Sequence, residues 1–183
     1  MKRIADLERK IRDYVNRVDL SKKYSENPDE WNTLCVAMDT MGDSCLALEY
    51  YESSGVGKDD GEKYLKLYGM LQAIFLQQDS IRQIHRILVG NDLHLDSGSA
   101  WMKTRDLRNL TVGHPIEKKN KGGKVSRCFI SRVSISSRGF DLIIWDKDER
   151  ETRHDNVDFA SLYNEYKLEA TGILNNICHK QDK

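Results

Sequence analysis

The chain has 183 residues, and its 29 basic and 29 acidic side chains balance to a formal net charge of zero. A charged fraction of 32% beside a hydrophobic fraction of 39% predicts one soluble, core-forming domain rather than a disordered chain. The apolar runs are far shorter than the roughly 20 residues of a membrane helix, and the first residues lack a secretory-signal pattern. The four cysteines are widely spaced, which fits neither zinc ligation nor a disulfide framework. We therefore expect a cytoplasmic protein with free thiols, no membrane contact, no bound metal and no cofactor.

Helical periodicity dominates the first two thirds of the chain. Apolar residues spaced by three and four predict helices over residues 2–19, 28–52, 59–89 and 99–112. A last helix carries Phe159 and Ile177 at the end of the chain.

A strand-like pattern interrupts the helices before the last one. Alternation over residues 129–135 predicts a strand, the turn at 137–139 leads into a return strand over 140–145, and residues 150–155 form a third, polar edge strand. We expect a mainly α fold: an up-and-down bundle of about five helices, with a small β-hairpin or meander inserted before the last helix. Residues 1–183 would form a single helical domain, with 125–156 as the insertion.

Common catalytic motifs are absent from the sequence. There is no phosphate-binding Gly-x-x-x-x-Gly-Lys-Ser/Thr loop, no Gly-x-Ser-x-Gly and no His-Glu-x-x-His. The acidic run over residues 146–149 falls between two predicted strands, which favours a solvated turn over a metal site.

One segment at the end of the fourth predicted helix suits phosphate chemistry. Arg108 and Asn109 are followed after a short spacer by His114, and we call these three residues the arginine–histidine motif. Arginine offers a fixed cationic fork to phosphate oxygens, and a histidine side chain can exchange a proton near neutral pH. The segment resembles the HEPN superfamily, helical-bundle proteins whose ribonuclease members carry an arginine, often a polar residue after it, and then a histidine.

The resemblance implies metal-independent RNA cleavage by attack of a ribose 2′-hydroxyl on the neighbouring phosphorus. In this interpretation Arg108 stabilises the phosphorane, His114 is the acid or base, and Asn109 adds a hydrogen bond or holds Arg108. The family also implies a homodimer in which two motifs face one cleft, acting in toxin, defence or stress systems. The predicted partners are RNA, a second copy joined through the Arg108–His114 region, and a regulatory protein. A HEPN-like module that binds RNA, a nucleotide or a protein partner without catalysis, and a helical interaction protein with no cleft, remain as alternatives.

The neutral total conceals two oppositely charged segments. Residues 27–62 hold nine acids and one base, whereas residues 103–138 hold ten bases and two acids. The basic segment contains the motif and the predicted phosphate-binding residues, which are Arg105, Lys118, Lys119, Lys121 and Lys124. The alternative is that the two segments simply face each other in the fold.

Two polar residues lie in the apolar stripe of the third predicted helix. Gln78 and His85 are either hydrogen-bonded within the core or exposed to a polar cleft shared with the arginine–histidine motif. Gln77 and Asp79 are expected to point outward or to lie at the edge of the stripe.

The flank of the fourth helix offers a candidate dimer contact. On helical spacing Trp101, Arg105, Arg108 and Val112 share this flank. The alternative is that Trp101 only packs on the inserted hairpin.

Overall fold

A computed structural model describes residues 1–18, 20–119 and 125–181, apart from the side chains of residues 21, 23 and 119. The chain is mainly helical and carries an antiparallel sheet before the last helix, which confirms the predicted fold class. The helices are α1 (Lys2–Val18), α2 (Leu20–Lys23), α3 (Pro28–Ser54), α4 (Asp60–Val89), α5 (Ala100–Arg108) and α6 (Phe159–Gln181). The single turn of α2 is too short for periodicity to predict it.

The ends of the long helices follow from their local sequence. Asn27 caps α3 because its side chain accepts a hydrogen bond from the backbone N–H of Glu30 at 3.3 Å. Asp59 caps α4 in the same way, accepting from the N–H of Glu62 at 2.9 Å. Gly90 ends α4 in the left-handed conformation, with φ at 87°, which a residue without Cβ adopts at little cost.

The helices and the sheet share one hydrophobic core. α3 packs along α4, while α1 and α6 pack together and α5 lies against both α4 and α6. Of the helices that the structure describes, none combines the length and the apolar character needed to span a bilayer. The largest fully buried side chains include Ile4, Leu7, Ile11, Leu34, Met41, Leu48, Leu71, Ile74, Ile81, Trp101, Phe140 and Tyr166.

The expectation that Gln77 lies at the edge of its helix or outside it is wrong. Gln77 is fully buried; its Oε1 accepts a hydrogen bond from the Tyr166 hydroxyl at 2.8 Å, and its Nε2 lies 3.4 Å from Ser44 Oγ. The prediction failed because α4 contacts α3, α5 and α6, so that it buries more of its circumference than one stripe.

The sheet has the strand order β1-β2-β3-β4, and every pairing is antiparallel. Its inner face is apolar, with Cys128, Leu142 and Ile144 buried, while β4 is largely exposed, as expected of a polar edge strand. The strands are β1 (Lys118–Lys119), β2 (Val125–Ile130), β3 (Phe140–Asp146) and β4 (Glu151–Val157).

Two segments around the strands differ in how well the sequence predicted them. The strand predicted over residues 129–135 is wrong beyond Ile130, because Arg132–Ser134 form a 3-10 turn. Ser134 Oγ donates to the Ser131 carbonyl at 2.8 Å and accepts from the Asp141 N–H at 2.8 Å, and such local side-chain bonds compete with strand pairing. The acidic run after β3 is a turn, as predicted.

Candidate functional site

α5, the helix that carries the arginine of the motif, is fixed at its start by α6. The Glu169 carboxylate accepts hydrogen bonds from the backbone N–H groups of Ala100 at 2.9 Å and Trp101 at 2.7 Å. A negative charge at this end also interacts favourably with the helix dipole. Ser99 caps the helix through the N–H of Met102. The position of α5 along the bundle is therefore set by a charged anchor.

Arg108, the last residue of α5, is oriented by neutral acceptors. Its Nε and Nη2 donate to Gln72 Oε1 at 3.0 and 2.8 Å, and its Nη1 donates to Asn109 Oδ1 at 3.1 Å. The guanidinium carbon also lies 4.1 Å from the ring centre of Phe75, a cation–π distance. Within the described residues Arg108 has no carboxylate partner, and one N–H on each of Nη1 and Nη2 stays unused. The side chain thus keeps its positive charge and two donors available.

A π-helical segment follows Arg108, where the sequence predicted that an α-helix would continue to residue 112. The segment spans Asn109–Gly113, and the backbone N–H of His114 donates to the Asn109 carbonyl at 2.8 Å. A Cβ placed on Gly113 would lie 2.8 Å from Arg108 Nη1, so the guanidinium rests directly against the glycine backbone. Short π-helical insertions are rare, and they occur often at functional sites. Here the wider turn brings the arginine against the residue that precedes His114.

His114 lies at the surface where the π segment ends. Its side chain is exposed, and no described residue holds its imidazole. The next residue is tied to the sheet, because the Cys128 N–H donates to the Pro115 carbonyl at 2.8 Å. The backbone of the histidine is therefore held on both sides, while its ring is accessible to a ligand.

The predicted phosphate-binding residues differ in their surroundings. Arg105 is partly buried, pairs with the Asp79 carboxylate at 2.8 Å and lies 4.2 Å from the Phe75 ring centre, so its charge is already compensated. Lys118 is partly buried on β1, where Lys119 follows it. Lys121 and Lys124 lie outside the described residues.

Gln78 and His85 belong to the core and not to a cleft with the motif. Gln78 Nε2 donates to the Trp101 carbonyl at 2.8 Å and to Thr104 Oγ1 at 2.9 Å. His85 Nδ1 lies 3.1 Å from the Asn91 carbonyl. The first of the two alternatives for these residues therefore describes the structure in part. They bond to their surroundings and not to each other, and the buried Gln78 Oε1 has no hydrogen-bond partner among the described residues.

Both expectations for Trp101 are wrong, namely a contact with a second copy through the flank of α5 and packing on the inserted hairpin alone. Its side chain is fully buried, and its ring packs against Tyr166 of α6 at a centroid distance of 5.7 Å. It is therefore too buried to face a second copy, and because it packs on α6 it does not pack on the inserted strands alone. Helical spacing placed Trp101 on a flank beside the core stripe, but α6 also covers that side of α5.

The acidic and basic segments are not paired with each other. In the part of the chain that the structure describes, no ion pair joins residues 27–62 to residues 103–138. The acids bond elsewhere, as Asp39 does with Arg12 and Glu30 does with Arg86. The basic segment thus retains charge that an anionic ligand could use.

Two residues that orient Arg108 were missed in the sequence. Gln72 and Phe75 lie one position beyond Leu71 and Ile74, members of the apolar stripe of α4, and nothing in their spacing singled them out. Only the packing of α5 on α4 brings them to the motif.

Comparison of the chain with protein-family models, with curated proteins and with solved structures found no match.

Proposed function

We propose that the protein is a metal-independent endoribonuclease whose active site is the arginine–histidine motif. The observation that carries the proposal is the π segment, which holds the guanidinium of Arg108 against the residue preceding an exposed histidine. The resemblance to HEPN ribonucleases agrees with this arrangement. A toxin, defence or stress system is the proposed setting.

Arg108 is suited to stabilise negative charge on a phosphorane. Both of its fixing side chains, Gln72 and Asn109, are neutral, so they orient the guanidinium without cancelling its charge. The two unused N–H donors can point to two phosphate oxygens, and this contact strengthens as charge develops in the transition state. Removing one such donor from an enzyme typically lowers the rate by about 10²–10³-fold.

His114 is the residue proposed to move protons. In the reaction the 2′-oxygen forms a bond to phosphorus, the bond from phosphorus to the 5′-oxygen breaks, and the products carry a 2′,3′-cyclic phosphate and a 5′-hydroxyl. One proton must leave the 2′-hydroxyl and another must reach the 5′-oxygen. Since one motif has one histidine, a homodimer that brings two motifs to one cleft would supply both transfers.

The test compares variants of the motif in buffer containing EDTA. We expect the unsubstituted protein to cut single-stranded RNA and to leave DNA of the same sequence intact, because DNA lacks the 2′-hydroxyl. His114→Ala and Arg108→Ala should each lower the rate by about 10²–10⁴-fold. His94→Ala is the matched control, since His94 is also exposed but lies in the loop before α5. Equal rates for His114→Ala and His94→Ala would refute the role of His114.

A second candidate function is supported by the lack of a described partner for the His114 imidazole. A catalytic base is usually oriented by a third group, so a module that binds RNA, a nucleotide or a protein partner through Arg108 is the alternative. It predicts RNA binding that Arg108→Ala abolishes, without turnover in any variant.

A further inference from the structure

A shallow groove rich in aromatic side chains lies between α4 and the end of β2. Its volume is about 480 Å³, which falls within the range of small-ligand sites. We name it the aromatic groove and define it by Tyr64, Tyr68, Phe129, Arg132 and Val133.

Two aromatic rings of the groove are well exposed, and its two tyrosines are held in position by local contacts. Phe129 is 60% exposed and Tyr68 is 38% exposed, which is unusual for side chains of this size. The Tyr64 hydroxyl donates to the Ile130 carbonyl at 3.0 Å, and the rings of Tyr64 and Tyr68 lie 5.6 Å apart. The tyrosines of the groove therefore need little ordering before a planar ligand stacks on them.

The surroundings of the groove carry positive charge. Arg132 is exposed at its rim, and Arg127 lies two residues before Phe129 on β2. Neither arginine has a carboxylate partner among the residues that the structure describes. A planar ligand attached to an anionic backbone fits this combination better than an uncharged apolar segment does.

Two short stretches of chain connect the aromatic groove to the arginine–histidine motif. Tyr68 precedes Gln72, the acceptor for Arg108, by one helical turn of α4, a rise of about 6 Å. On the other side, Phe129 follows Cys128, whose N–H bonds to the carbonyl directly after His114. A chain of nucleotides could thus occupy the groove and the motif together.

We propose that the aromatic groove binds an unpaired base of single-stranded RNA by stacking on Tyr68 and Phe129, with Arg132 contacting a neighbouring phosphate. This inference rests on the proposed function, because the same strand then passes Arg108. Bases that are free of a duplex stack on aromatic side chains with little sequence preference, and this is a common way for proteins to hold single strands. The inserted strands would accordingly serve to bind substrate.

The test measures binding separately from cleavage. All groove variants are made in the His114→Ala protein, and their affinity for a short fluorescent single-stranded RNA is determined by anisotropy. Tyr68→Ala and Phe129→Ala should each weaken binding by about 5- to 150-fold, the range that corresponds to loss of one stacked base. Tyr68→Phe keeps the ring and should retain the affinity. Tyr50→Ala, which removes an exposed tyrosine of α3 outside the groove, is the matched control.

The outcomes separate this inference from the proposed function. If the protein binds RNA through the aromatic residues but never cuts it, the groove is supported as an RNA-binding site and the proposed nuclease activity is refuted. If the unsubstituted protein cuts RNA but Tyr68→Ala and Phe129→Ala leave the affinity unchanged, the nuclease activity is supported and RNA binding in the groove is refuted. Equal affinity for duplex RNA would also overturn the inference, because paired bases cannot stack in the groove. So would a change in oligomeric state on Phe129→Ala without RNA binding, which would assign the groove to a protein contact.

Discussion

Replacement of Gly113 by alanine should displace the guanidinium of Arg108 without unfolding the protein. The new Cβ would lie 2.8 Å from Arg108 Nη1, whereas ordinary contacts begin at 3.4 Å, so the nitrogen must move by about 0.6 Å to restore an ordinary contact. That movement disturbs the hydrogen bonds of the guanidinium to Asn109 and Gln72, at 3.1 and 2.8 Å. A misplacement of about 1 Å can lower a catalytic rate by about 10²-fold, so we expect at least a tenfold loss here.

The fold should tolerate this substitution for two reasons. The group that must move is the end of a flexible side chain, and Gly113 is not among the glycines with positive φ. Alanine in helical backbone is favoured over glycine by about 0.5–1 kcal/mol, which offsets part of the strain. The thermal unfolding midpoint should therefore change by only a few degrees.

The assay is the initial rate of cleavage of a fluorescent single-stranded RNA in EDTA, together with a thermal melt of each variant. Gly69→Ala is the matched control, because its Cβ would meet no heavy atom within 4 Å. If the unsubstituted protein only binds RNA, the affinity takes the place of the rate, since Arg108 contacts phosphate in both interpretations. An unchanged rate and affinity for Gly113→Ala, or an equal loss for Gly69→Ala, would refute the reasoning.

Four further predictions concern stability and thiol reactivity. Glu169→Ala removes a charged acceptor from two backbone N–H groups, so it should lower the free energy of unfolding by about 2–4 kcal/mol and the Tm by about 5–15 °C. Glu169→Gln should recover part of this loss. A Tm of the Glu169→Ala protein equal to that of the unsubstituted protein would contradict the role of Glu169 as an anchor. Tyr166→Phe leaves the buried Oε1 of Gln77 without its donor and should cost about 1–3 kcal/mol in a urea titration. Burial raises the pKa of Cys45 to about 12 and that of Cys128 to about 11, so iodoacetamide at pH 8 should label neither thiol until the protein unfolds, as mass spectrometry can show. Because unfolded thiols ionise near pH 9, the same shifts should make the protein progressively less stable between about pH 9 and pH 12.

The helices could be predicted because most of them bury one amphipathic face and begin or end at recognisable residues. α1 follows its apolar stripe from Ile4 to Val15, and Asn27 and Asp59 cap the next two long helices. The predictions failed where a helix is surrounded on several sides. Gln77 and Trp101 are buried by α6, and no local pattern reports a contact with a helix so far along the chain.

The candidate site was predictable in its residue types but not in its geometry. The arginine–histidine motif can be read in the sequence, whereas the orientation of Arg108 depends on its tertiary contacts with Gln72 and Phe75. Local hydrogen bonding by Ser134 similarly ended a strand that alternation alone would have continued. In both places a side-chain hydrogen bond sets the local geometry, and hydrophobic periodicity contains no information about such bonds.

The most direct test of the central claim is the identity of the RNA ends formed in EDTA, determined by mass spectrometry. The proposed mechanism predicts fragments with a 2′,3′-cyclic phosphate and a 5′-hydroxyl from the unsubstituted protein and from His94→Ala, and intact RNA from His114→Ala. Intact RNA in every sample, fragments ending in a 3′-hydroxyl, or equal amounts of product from the His114→Ala protein would contradict it.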